Sequence, residues 1–130
     1  MSNLPKPGAV LYAKDVQRLA RFYEATASMA VVHSDNEFIV LESASQQLVI
    51  HGIPKDIAQS ISISAPPVRR SNTAIKLILP VESISQARQK ASAHGGEIAP
   101  EQQAFQALGF HACDGHDPEG NVVQFRENVS

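Results

Sequence analysis

Hydrophobic positions fall into short runs and one-sided stripes along this chain. Residues 9–13 are an apolar run behind Pro7-Gly8, the pattern of a strand. Asp15 stands where a helix cap belongs, because its carboxylate can accept from the free N–H groups of a first turn. Val16, Leu19, Ala20 and Tyr23 then recur at i, i+3, i+4 and i+7, the stripe of one helix face. The helix is predicted to fade near Ala27-Ser28. Three strand-like runs follow: 29–33, 37–41 after the turn pair Asp35-Asn36, and 47–51 after the polar break 43–46.

Residues 54–73 break this rhythm. Pro54, Pro66, Pro67, repeated serines and the pair Arg69-Arg70 predict a connector, with at most one helical turn over 56–61. The opening pattern then returns. Residues 74–79 are strand-like and stop at Pro80. Ser83 and Gln86 form a capping box, Ile84, Ala87 and Ala91 repeat the helical stripe, and Gly95-Gly96 supplies the stop. A short strand near 97–99, a loop over 101–109, a strand near 110–113, a turn and a last strand over 121–126 complete the reading. A constant offset of 68 lays the second half on the first: Asp15 falls on Ser83, Val16 on Ile84, Leu19 on Ala87 and Tyr23 on Ala91. Each half reads strand, helix, strand, strand, strand, which predicts an internal duplication. The fold expected is α+β, one domain over 1–130 built from βαβββ modules at 8–53 and 74–127 joined by the connector 54–73.

Composition narrows the function classes. The chain has 130 residues, enough for one core. Eleven Lys and Arg against thirteen Asp and Glu leave a formal charge of −2, which argues against a broadly basic nucleic-acid surface. No apolar run is long enough for a membrane span, and residues 1–7 show no apolar signal core or lipidation motif. A single cysteine, Cys113, excludes an intrachain disulfide. A cytoplasmic protein that engages neither membrane nor nucleic acid is expected.

The most specific string is in the tail, Asp117-Pro118-Glu119-Gly120-Asn121 followed by Val122-Val123-Gln124-Phe125. Asp-Pro-Glu-Gly suits a type I turn, with Asp first, Pro second and Gly fourth. With residues 11–23 and the duplicated βαβββ plan, it resembles the vicinal oxygen chelate superfamily: glyoxalase I, bleomycin-resistance proteins, fosfomycin-resistance thiol transferases and extradiol dioxygenases. The resemblance covers about residues 8–127. It implies two modules pairing into a curved mixed sheet with a cleft, and a homodimer. Metal-dependent members carry His on the first strand, a carboxylate or Gln on the fourth, His on the fifth and Glu on the eighth. Those positions fall here on Gly8, on Gln47 or alternatively Val49, on Lys76 and on Gln124. Glycine has no ligand atom, an ammonium repels a cation, and a neutral amide is a poor transition-metal ligand. Neither a metal nor another cofactor is therefore expected.

The candidate ligand-binding residues are Tyr12, Gln47, His51, Lys76, Gln124 and Arg126. Lys76 facing a cleft would bind a carboxylate or phosphate, or serve as a base; facing outward it is a solvated lysine. Gln124 and Arg126 share one strand face, as do Tyr12 with Gly8 and His51 with Gln47. Lys76 and Gln124 are expected to converge, with Arg126 nearer the mouth. The run 111–117 holds two His, one Cys and two Asp, and turn chemistry with a buried Cys113 accounts for it better than a metal knuckle. The function expected is binding of a small polar or anionic molecule without metal. The alternative is a lyase, isomerase or thiol-transferase type of enzyme.

Overall fold

The structure, a computed structural model, describes residues 4–129; residues 1–3, on which part of the N-terminal reading rests, lie outside it. In chain order the elements are β1 (Gly8–Ala13), α1 (Val16–Ala27), β2 (Ala30–Ser34), β3 (Phe38–Glu42), β4 (Gln47–Gly52), a single turn α2 (Lys55–Ala58), β5 (Leu77–Pro80), α3 (Ile84–Ala93), β6 (Glu97–Ile98), a 3-10 turn (Glu101–Gln103), β7 (Phe105–Ala107), β8 (Phe110–His116) and β9 (Val122–Asn128). Both long helices start where their caps put them. Asp15 accepts from the Arg18 N–H and Ser83 from the Gln86 N–H, each at 3.1 Å. α1 ends on Ser28 in the left-handed conformation, and α3 is followed by Gly95 with φ +87°.

The strands form two mixed sheets. The first has order β1-β4-β3-β2 and the second β5-β9-β8-β6, with β7 also on β8. In each, the strand before the helix pairs in parallel with the last strand of its half, β1 with β4 and β5 with β9; the other pairs are antiparallel. The fold is α+β, as the sequence pattern predicts. No strand of one sheet pairs with a strand of the other among the described residues. The halves are joined instead through α1 against α3 and through one shared core. Leu19, Phe22 and Tyr23 of α1 lie in one buried cluster with Leu41, Leu48 and Ile50 of the first sheet and Leu79, Val123 and Phe125 of the second. Each such fully buried side chain contributes roughly 1.5–3 kcal/mol.

The tail turn is a second joint. Gly120 N–H donates to Asp117 O, closing the expected turn. The Asp117 carboxylate, fully buried, accepts from the Tyr23 hydroxyl at 2.6 Å, the Asn121 side chain at 2.8 Å and the backbone N–H groups of Glu119 and Asn121. Burial raises its pKa against those hydrogen bonds. Burial, then the Asp117 charge, also pushes the Tyr23 hydroxyl well above its ordinary value. Glu119 accepts from the backbone N–H groups of Lys14 and Asp15, at 2.9 and 2.8 Å, clamping the start of α1.

Several predicted boundaries shift. β5 begins at Leu77 rather than 74; in its register residues 74 and 75 fall opposite Gly120 and Asn121, before β9 begins at Val122, and the ladder closes one residue later. Lys76 therefore precedes the strand. Pro80 lies inside β5, which tolerates proline because it is an edge strand. The loop predicted over 101–109 contains β7, joined to β8 by a two-residue turn in which Leu108 has φ +46° and Gly109 φ +85°. Leucine rarely adopts that conformation, so no turn signal marked it. β8 extends through His116. Asp114, assigned to turn chemistry from sequence, is a strand residue instead.

Candidate functional site

Strand alternation divides each sheet into a face packed on the helices and an open face. In the first sheet, Ala9, Leu11, Leu48, Ile50, Ile39 and Leu41 join the core. The intervening residues form three registered rows across β1, β4 and β3: Gly8, Gln47 and Glu42; Val10, Val49 and Val40; Tyr12, His51 and Phe38. The face thus runs from polar through aliphatic to aromatic. Gln47 donates to Glu42 at 2.9 Å, and Lys6 bonds the other oxygen of the same carboxylate at 2.9 Å. The Lys6 hydrogen bond, then that from Gln47, lowers the Glu42 pKa.

The aromatic row continues onto β2. Ring centroids are 5.8 Å apart for Tyr12 and His51, 5.8 Å for His51 and Phe38, and 4.8 Å for Phe38 and His33. His33 Nε2 lies 2.7 Å from Asp35 Oδ2. That bond, followed by bonds from the Glu37 and Phe38 N–H groups, holds the Asp35 carboxyl at a pKa of about 2.

The second sheet's open face is polar. Lys76 Nζ donates to Asp114 Oδ2 at 2.9 Å, and Gln124 Nε2 donates to Asp114 Oδ1 at 3.1 Å. Arg126 Nε donates to Gln124 Oε1 at 2.7 Å, and its guanidinium lies 4.2 Å over the Phe110 ring. Arg69 of the connector reaches Asp114 at 3.8 Å. Burial alone would raise the Asp114 pKa; hydrogen bonds from Lys76 and Gln124 and the charges of Lys76 and Arg69 outweigh it and lower the pKa. Gln124 is only 6% exposed, with both ends of its amide engaged.

Lys76, Gln124 and Arg126 thus meet in one network. Tyr12 and His51 meet in the aromatic row, and Gln47 sits at the opposite end of the same face. No hydrogen bond or ring contact joins the two groups among the described residues. Two features escaped the sequence reading. One is Asp114, which the strand pattern of residues 110–116 would have placed beside Gln124. The other is the pairing of Phe38 and His33 with His51, which needs the register. Register also makes Val49 the counterpart of Gln124, since Val10 pairs with Val49 as Ile78 pairs with Gln124.

A Cβ at Gly8 would overlap the Gln47 carbonyl oxygen, so β1 can approach β4 this closely only with glycine there. No three His, Cys, Asp or Glu side chains gather as metal ligands would among the described residues. A cavity of about 620 Å³ lies elsewhere, between the start of α1, the β2–β3 turn and the connector, lined in part by Lys14, Arg18, Asn36 and Ile63. It includes none of the six candidates.

The glyoxalase-like domain family matches residues 8–125. No curated protein matches the chain. Among solved structures, a glyoxalase/bleomycin resistance protein/dioxygenase family enzyme from Burkholderia phytofirmans is 14% identical, with a TM-score of 0.70 over 94% of this chain and 97% of that one. A glyoxalase/bleomycin resistance protein from Albidiferax ferrireducens is 18% identical, with a TM-score of 0.66 over 95% and 98%. The fosfomycin resistance protein FosX from Mesorhizobium loti is 8% identical, with a TM-score of 0.65 over 99% and 95%. At these identities the likeness is one of fold.

Proposed function

Since the chain belongs to the glyoxalase-like domain family, within the vicinal oxygen chelate superfamily, we propose that it binds a small polar or anionic molecule without metal. Lys76, Gln124 and Arg126 make the polar contacts, and Tyr12, Gln47 and His51 contribute from the first sheet. The observation that carries this reading is the charge balance of the second open face. Lys76 and Arg69 share one carboxylate, Asp114, while among the described residues the Arg126 side chain bonds an amide and a ring and no carboxylate. Three cations around one anion leave positive charge for an anionic group.

The donor set at the superfamily's metal positions does not fit a transition metal. Gly8 has neither a ligand atom nor room for one, Lys76 is a cation on Asp114, and Gln124 spends both ends of its amide on neighbours. We assign no cofactor and derive no step through a metal. The working form is one domain of two βαβββ modules, a cytoplasmic homodimer. Uncovered apolar residues off the ligand rows, such as Val32 and Leu108, support a second copy.

Thermal shift with inorganic phosphate and with acetate tests the reading. A rise in melting temperature for wild type that disappears in Arg126→Met is expected. No response to either anion at tens of millimolar, or a stoichiometric first-row metal held by these strands, would overturn it.

A further inference from the structure

The geometry points to a stacking site on the first sheet's open face for a planar nitrogen heteroaromatic that carries an N–H or amino donor. This deepens the reading of Tyr12 and His51 as ligand contacts and rests on it. His51 and Phe38 are almost parallel, at 2°, with centroids 5.8 Å apart, so no slot for another ring opens between them. Tyr12 is different. Its ring is tilted 59° from His51, it ends the row on edge strand β1, and it is 65% exposed. Most of its surface is open to solvent whereas Phe38 and His51 are half-buried, and an incoming aromatic ring seats on such an exposed ring in an offset stack.

Hydrogen-bond valence selects the ligand's edge. His51 Nδ1 lies 2.9 Å from the Gly52 carbonyl oxygen, which can only accept. Nδ1 therefore carries the proton, and in the neutral ring Nε2 is a lone-pair acceptor. Nε2 has no hydrogen-bond partner among the described residues, and neither has the Tyr12 hydroxyl. A flat ring stacked on Tyr12 brings its edge towards the adjacent imidazole, where an N–H or amino group donates to Nε2. Beyond the ring row, Val10, Val49 and Val40 offer an apolar surface for the rest of the molecule.

The test is titration with 2-aminopurine, whose fluorescence falls on stacking, and competition with 9-methylpurine, which keeps the ring but lacks a donor. Quenching on binding is expected. Tyr12→Leu and His51→Leu should each weaken binding about tenfold, the scale of one stack or one hydrogen bond. His51→Gln, which restores an acceptor, should recover part of the loss. Unfolding curves check that each variant is folded, and Tyr12 is exposed enough for its variant to remain so. Equal affinity for 9-methylpurine, or an unchanged affinity in Tyr12→Leu, would overturn the site. A phosphate response without 2-aminopurine binding overturns this inference and leaves the anion reading standing. Binding of 2-aminopurine without any anion response does the reverse.

Discussion

Val49 and Gln124 hold equivalent places in the two sheets, as do His51 and Arg126, and their chemistry differs. Both lie on the last strand of a half, beside its first strand, and turn away from the helices. Around Val49 the neighbours are Val10 and Val40, an apolar row open to solvent. Around Gln124 they are Ile78 and Asp114, and the amide is bonded at both ends. The inward residues of the same strands stay alike: Leu48 and Ile50 in one, Val123 and Phe125 in the other. Packing density ties the inward positions to apolar side chains of suitable volume. Nothing comparable constrains the outward ones, so a duplicated framework can keep one core and present two unlike surfaces.

The largest expected effect strikes the joint that the two halves share. Asp117→Ala strands the Tyr23 hydroxyl, the Asn121 side chain and the N–H groups of Glu119 and Asn121, and should cost about 3 kcal/mol. Calorimetry should show one transition moved down by roughly 10 °C. A separate early transition for one sheet would mean that the halves are independent and that their contrast is one between two domains.

Next comes the pair Gly8 and Lys76, equivalent by the offset of 68. Gly8→Ala forces β1 off the Gln47 carbonyl and should cost about 2 kcal/mol, whereas Lys76→Ala, at an exposed position outside any strand, should cost under about 1 kcal/mol. Equal losses in urea unfolding would remove the asymmetry in strand approach.

Asp114 sharpens the contrast through pH. Its folded pKa is lowered, so its contribution is present above the unfolded carboxylate value and is lost as pH falls through the folded one. Asp114→Asn should lose about 1 kcal/mol at neutral pH and a smaller amount in acid, the gap to wild type closing below about pH 4. A gap that stays constant with pH would show that the ionised carboxylate is not what orders the second face.

The smallest effect is on the first face. His33→Ala removes an exposed pair with Asp35 and one ring from the end of the row, and should leave the urea-unfolding midpoint nearly unchanged. A larger loss would mean that the ring row is a structural ladder.

Sequence pattern revealed the parts of this fold that depend on local chemistry. Asp15 and Ser83 cap as their side chains require, and the string at residues 117–121 makes its turn. The stripes at Leu19, Tyr23, Ala87 and Ala91 are buried. What escaped depends on partners distant in the chain. β5 is bounded by the tail turn that precedes its partner strand, and β7 exists because Phe105, Gln106 and Ala107 find Ala112, His111 and Phe110. Asp114 sits among turn-forming residues that mask the strand pattern of 110–116, and pairing with β9 identifies it as a strand residue. The candidates were divided the same way: period two placed Gln124 and Arg126 together, while the grouping of Tyr12 and His51 with Phe38 and His33 needs cross-strand register.

The clamp made by Glu119 and Asp117 also has a consequence for the order in which the chain is made. Tyr23 waits 94 residues for its carboxylate, and the amide of Lys14 waits 105 for Glu119. During synthesis the first helix emerges early, but the amides of Lys14 and Asp15 and the Tyr23 hydroxyl have only water as partners until the last turn leaves the ribosome. The first half therefore reaches its final packing no sooner than the second, and a nascent chain halted before residue 117 should remain open to proteases over α1.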